Sequence, residues 1–264
     1  AKLATVLFLA TLVSRKEDSM HRLRDFLWPV AASVGVVGAL VLAQPDLGTT
    51  LLIACGGFAV LVASAAPMAF VLGGGAIGVA VAVAAAMLSP YRWERVTSFL
   101  NVGADPLDTG YQAMQSLVAL GTGGLFGIGL GASRARWSFL PNAHTDFIFS
   151  IIGEETGLAG SLAVVLLFAV LTVAGTMVAL RCRDRFGRLV AIGITTWLVT
   201  QALVNVGGVT GVLPITGVPL PFVSFGGSAL LPELIGVGIL VGIARRPGAA
   251  GAPCASPSRL PAPA

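Results

Sequence analysis

Long apolar runs with short polar punctuation between them dominate this chain. Seven have bilayer-crossing character, at roughly 3–13, 26–43, 49–65, 68–88, 156–180, 189–206 and 229–244. Residues 47 to 88 hold no Lys or Arg. As one helix they would reach about 63 Å, roughly twice a hydrocarbon core. The stretch therefore crosses twice, and "SAAPM" with Pro67 marks the turn. The first run is short for a crossing and starts at Ala1 without a Met. It reads either as a short helix or as a span whose preceding residues are missing.

Composition fixes the class. The chain is 56% hydrophobic and only 11% charged, where a soluble domain carries about 25% charged residues. The expected fold is an all-α polytopic membrane protein. The net charge of +4 is spread over short clusters between apolar runs. It lacks the dense basic patch and interleaved aromatics of a nucleic-acid interface. Cys55, Cys182 and Cys254 are far apart and form no CxxC pair, so no disulfide or metal role is assigned to them.

Loop charge sets the orientation. Arg15, Lys16, Arg22 and Arg24 lie in one loop, Arg181, Arg183, Arg185 and Arg188 in another, and Arg245 and Arg246 end the last span. Alternating spans put all three clusters on one face, the cytoplasmic one. The loop at "QPDLG", the segment 89–155 and the segment 207–227 then face outward. Residues 1–246 read as one integral membrane domain, and the Pro/Ala-rich 247–264 as a disordered cytoplasmic tail.

Segment 89–155 is too long for an ordinary loop and too apolar for disorder. Its "GYQAMQSLVALGTGGLFGIGLG" is broken by six glycines, from Gly121 to Gly131. Such a piece forms a short helix or re-enters the membrane where protein or a wet cavity covers its backbone. There is no GK[ST], so the glycines do not make a nucleotide loop. They read otherwise as points of close helix packing.

Ionisable residues collect in this segment, among them Arg92, Arg95, His144, Asp146, Glu154 and Glu155. Near a bilayer such groups tend to face cavities. Each has a plain reading beside a chemical one. Asn142, Thr145 or Asp146 caps the helix that follows Pro141, or Asp146 is a general base. Glu154 and Glu155 sit on the first turns of the next span as dipole partners, or in a site. Arg92 and Arg95 are interfacial anchors or clamps for a pyrophosphate. Lys2 snorkels or meets an anion. Ser224, in "VSFGGS", holds a turn or a ligand, with no His or Asp near it in sequence. His144 is remote from His21 in the chain, so no histidine metal cluster is expected.

The stretches "AKLA", "QPDLGTT", "YRWERVTSFLN", "DPLDTGYQAMQSLVALGTGGLFGIGLG", "FLPNAHTDFIFSIIGEETGLAG" and "GVLPITGVPLPFVSFGGSALL" closely resemble the SEDS family (shape, elongation, division and sporulation). Within it they are nearer the division branch, FtsW, than RodA, chiefly at "SFLPNAHTDFIFSIIGEE". The resemblance implies a SEDS-like bundle of ten transmembrane helices. Seven here plus three before "AKLA" would make ten, so the chain is expected to lack an N-terminal portion, and the family's "PSE" stretch with it.

The resemblance further implies a peptidoglycan glycosyltransferase acting on lipid II outside the cytoplasmic membrane, at the division septum. Its implied partners are a class B penicillin-binding protein and other division proteins. It puts the catalytic aspartate of "HTDF" at Asp146, the arginine of "YR..R" at Arg95 and Arg92, the family lysine at Lys2 and the "SFGG" serine at Ser224. A divalent cation, Mg or Mn, is a possible helper. Departures are Asn101 for an Asp, "GEETG" for "GEELG", and Glu233 in the final span where a neutral residue is expected. Rival readings are a lipid II flippase, whose coupling residues would lie mid-membrane, and a non-catalytic division scaffold, whose outer carboxylates would be dispensable.

Overall fold

The computed structural model describes residues 1–15, 23–44, 46–64, 66–88, 93, 109–133 and 144–246. Among them are eight helices: α1 (Lys2–Arg15), α2 (Leu23–Leu42), α3 (Leu47–Ala63), α4 (Met68–Met87), α5 (Thr109–Gly123), α6 (Ile148–Arg181), α7 (Arg185–Val209) and α8 (Gly227–Ala244). The seven apolar runs correspond to α1–α4 and α6–α8. Four of these, α4, α6, α7 and α8, are long and apolar enough by themselves to cross a membrane, and α2 and α3 carry shorter apolar stretches.

Local signals place the ends. Asp46 caps α3, its carboxylate accepting from Thr49 N at 2.8 Å, as expected for an acid at a helix start. Pro67 stands at the N-cap of α4, where its missing N–H costs nothing. Asp184 caps α7 through Gly187 N at 2.9 Å. Arg185 Nη2 donates to the carbonyl of Ser64, the C-cap of α3, at 2.8 Å, and Arg246 after α8 lies 3.7 Å from Asp184. The ends of α3, α6 and α8 and the start of α7 thus meet at one basic end, as the alternation of spans requires.

Helix α7 is the hub. In its apolar window 67% of the residues are buried, against 11% in α4 and in α6. The reason is in the side chains. Helix α4 and the long stretch of α6 after Ser161 are predominantly apolar and lose little against lipid, whereas α7 carries Thr195, Gln201 and Asn205, which need partners away from it. Around α7 one core joins Leu9 and Val13 of α1, Leu52 and Val60 of α3, and Leu189, Ile194 and Leu198. A second, smaller core of Phe147, Phe149, Ile151, Ala202, Val209 and Leu220 underlies the loops at the opposite end.

Two expectations need correction. The span placed at 156–180 does start at Gly157, but a short helix over "IFSIIGEE", from Ile148, runs directly into it, and the two together make α6. Glu154 and Glu155 are therefore not on the first turns of a span but just before a break at Gly157 (φ 70°, ψ −163°), a conformation essentially reserved for glycine. The glycine run is not helix-to-helix packing alone. After α5 it folds as a hairpin against that break. Ile128 N and Gly129 N donate to the carbonyls of Glu154 and Glu155 at 3.0 and 3.1 Å, and Leu158 N donates to Gly124 O at 2.9 Å. The hairpin thus satisfies backbone groups that the kink frees. A Cβ on Gly127 would stand 2.1 Å from Glu155 O, so only glycine fits there.

Candidate active site

Helix α6 is entered through "HTDF", and its N-cap is Phe147, without a side-chain cap hydrogen bond. Asp146 is not at the N-cap position. Phe147 is 2% exposed and anchors the turn in the smaller core. This leaves the half-buried Asp146 at the turn's rim. Its Oδ2 lies near Gly217, where an added Cβ would stand 3.6 Å away. Gly217 has φ +70°, so a side chain there would strain the backbone while merely touching the carboxylate.

Three donors hold this turn by its main chain. The carbonyl of His144 accepts from Phe225 N at 3.0 Å. That of Thr145 accepts from Ser224 Oγ at 2.6 Å. That of Asp146 accepts from Asn205 Nδ2 at 2.7 Å. Asn205 also donates to Val218 O at 2.8 Å, tying the 215–225 loop to the same point. Ser224 Oγ in turn accepts from Leu220 N at 2.7 Å. Both of its hydrogen-bonding roles are used inside the protein, so its hydroxyl holds the turn. A small cavity opens beside Asp146, lined by Val204, Asn205, Gly208, Ile215, Thr216 and Gly217 among others.

The other candidates divide. Lys2 is half-buried at the start of α1, and its Nζ donates to Gln201 Oε1 at 2.9 Å. His144 is exposed. Glu154 is 3% exposed and accepts from Ser133 Oγ at 2.5 Å, turned toward the end of the glycine hairpin. Glu155 is half-buried. Arg92 and Arg95 lie outside the described residues. Among the described residues no three of His, Cys, Asp and Glu come together as a metal site.

Asn205 and Gln201 lie outside every motif named above, yet both belong to the support of the site. Their signal was present: two amides four residues apart in an apolar span share one helix face and need partners inside the bundle.

The sequence model of the FtsW/RodA/SpoVE family, described as a cell cycle protein, matches residues 1–247. The chain belongs to this family. It is 41% identical over 252 residues to stage V sporulation protein E of Bacillus subtilis (strain 168), covering 92% of this chain and 67% of that one. It is 37% identical over 246 residues to the probable peptidoglycan glycosyltransferase FtsW of Geobacter sp. (strain M18), covering 93% and 67%. Among solved structures, a chain from a peptidoglycan synthase complex, described as coordinating polymerization and crosslinking, superposes with TM-score 0.73 at 33% identity, over 93% of this chain and 68% of that one. The chain thus spans about two-thirds of the length of these relatives. Family and helices together make it a bacterial membrane protein with the polytopic bundle that its pattern predicts.

Proposed function

We propose that this chain is a peptidoglycan glycosyltransferase that polymerises lipid II into glycan strands during cell division. Asp146 takes the proton from the 4-hydroxyl of the acceptor GlcNAc. The freed oxygen attacks the anomeric carbon of the donor, and the bond from that carbon to the pyrophosphate oxygen breaks. The electron pair leaves with undecaprenyl pyrophosphate, and the α-linked donor becomes a β-1,4 linkage. One base suffices, because a pyrophosphate leaves without much protonation. Its charge is met by Arg95, Arg92 and Lys2. No step is routed through Mg or Mn, and no residue is assigned to hold one.

The observation that carries this reading is the triple main-chain grip on His144, Thr145 and Asp146. A capping aspartate needs only a helix end. A base must be held in register with two sugars, and that is what fixing three successive carbonyls from two other segments achieves. The placement fits the substrate as well. Lipid II keeps its polyprenyl tail in lipid while its sugars stand in water, and Asp146 lies where a loop meets an apolar helix. The basic ends then face the cytoplasm and Asp146 the outside of the cytoplasmic membrane, at the septum. The relatives named FtsW and the synthase-complex neighbour support a class B penicillin-binding protein as the partner that cross-links the strands.

The flippase reading calls for charge at mid-bundle. Glu233 is buried in α8, but it stands six residues from the helix start, about 9 Å in, and its partners lead back to the Asp146 end.

The test compares lipid II polymerisation by wild type and Asp146→Asn, each purified with its transpeptidase partner. The expected loss is about 10²- to 10⁴-fold, the contribution of a general base, with partner binding intact. A folded, partner-bound Asp146→Asn protein that polymerises at the wild-type rate returns Asp146 to a structural role and moves attention to Glu154 and Glu155.

A further inference from the structure

Glu233 was the one residue of the final span that the sequence pattern left without a role. It is 3% exposed in α8, directly after Pro232. Its two carboxylate oxygens go to different segments. Oε2 accepts from Phe222 N at 2.9 Å. Oε1 accepts from Gln201 Nε2 at 2.9 Å. Gln201 is 0% exposed and fully engaged: its Nε2 also donates to Pro219 O at 3.0 Å, while its Oε1 accepts from Lys2 Nζ and from Trp197 Nε1, each at 2.9 Å. A buried carboxylate is costly unless it is hydrogen-bonded and its charge is offset. Here α7 and the loop before α8 supply the hydrogen bonds, and Lys2 of α1 backs them through Gln201.

Phe222 shows what the carboxylate holds. Among the described residues it is the one non-glycine with positive φ, at +65°. A bulky residue persists there only where its surroundings over-determine it. Two residues later Ser224 grips the carbonyl of Thr145, and Phe225 N grips that of His144. We infer that Glu233 is a positioning residue: by holding the strained Phe222 peptide, braced through Gln201, it fixes the 220–225 turn that grips the Asp146 loop. The inference rests on Asp146 being the base, and its test has one arm that does not depend on that.

The experiment uses the complex with its transpeptidase partner in nanodiscs and four proteins: wild type, Glu233→Leu, Glu233→Leu with Phe222→Gly, and Glu233→Gln. Two readouts are taken, lipid II polymerisation and hydrogen–deuterium exchange over 144–149 and 218–226. For Glu233→Leu, kcat falls about 10- to 100-fold with KM for lipid II near wild type, the pattern of lost transition-state alignment. Exchange rises in both segments. Phe222→Gly, which adopts positive φ without strain, restores about 3- to 10-fold of the lost kcat. Damage to packing alone would not be repaired by removing a phenylalanine.

Glu233→Gln keeps an acceptor for Phe222 N but turns an amide donor toward the Gln201 amide, so it breaks the brace alone. It decides the matter if the leucine variant does not fold, with a smaller loss of kcat and faster exchange at 218–226 expected. A folded Glu233→Leu protein with wild-type kcat and exchange overturns the inference. So does a loss that appears as raised KM and is untouched by Phe222→Gly, or a Glu233→Gln protein that matches wild type in both readouts. If Asp146→Asn polymerises normally while exchange still rises in Glu233→Leu, the base assignment falls and the positioning of the turn stands.

Discussion

At the basic end of the bundle Arg246 meets Asp184 across 3.7 Å, with side chains 65% and 51% exposed. At the opposite end Asn205, 5% exposed, gives its amide nitrogen to two main-chain carbonyls within 2.8 Å. Both contacts join segments distant in sequence, yet they do different work. An exposed ion pair is screened and tolerates several geometries, so it fixes no atom closely, and what it leaves to the loop is the positive charge of its arginine, which bears on orientation. A buried amide has few alternatives and fixes backbone position, because an unpaired carbonyl in its place costs free energy. Orientation needs only the arginines. A reacting group needs the second kind of contact.

The comparison breaks most readily at Asn205. Replacement by Leu keeps the branching at Cγ and leaves the carbonyls of Asp146 and Val218 without their donor. The expected cost is roughly 1–3 kcal/mol of stability, with polymerisation down about 10- to 100-fold, as displaced catalytic groups commonly show. Thermal unfolding in detergent and the lipid II assay read the two effects. A variant that melts lower but polymerises at the wild-type rate would show that the amide only holds the bundle together.

Gly157→Ala comes next. Its φ of 70° and ψ of −163° suit glycine alone, and an added Cβ would stand 2.4 Å from Gly127 N. The hairpin must then move off the kink of α6, at a cost of roughly 1–3 kcal/mol. Exchange of the 124–131 amides should quicken while that of α7, away from the hairpin, stays slow. Unchanged exchange at 124–131 would mean that the hairpin does not depend on this break.

How much of this was legible beforehand follows from the range of each interaction. The apolar runs gave the spans, because lipid imposes burial along a contiguous window. Loop arginines gave the alternation, which the meeting of Arg185 with Ser64 O and of Arg246 with Asp184 bears out. Asp146 stood out through motif and resemblance. The support around it did not. Ser224 and Thr145 are 79 positions apart, and Gln201 and Lys2 are 199 apart, so no local window contains either pair. Glu233 looked anomalous for the same reason: its partners come from α7 and the loop before α8. The boundary at Gly157 was legible in composition, whereas the short helix before it was not, because its backbone is completed by the glycine hairpin some thirty positions earlier.

The smallest effect tests the other half of the comparison. Arg246→Ala removes the exposed pair and leaves Asp184 capping α7 through Gly187 N. The expected stability change is below about 0.5 kcal/mol, and it should vanish in high salt, since exposed pairs are screened over about 10 Å or less at ordinary ionic strength. Polymerisation should stay at the wild-type rate. A large loss of activity that salt does not mimic would mean that the basic end transmits position to the Asp146 end through α8. Orientation and alignment would then be one property of the bundle, and the division of labour between its ends would have to be abandoned.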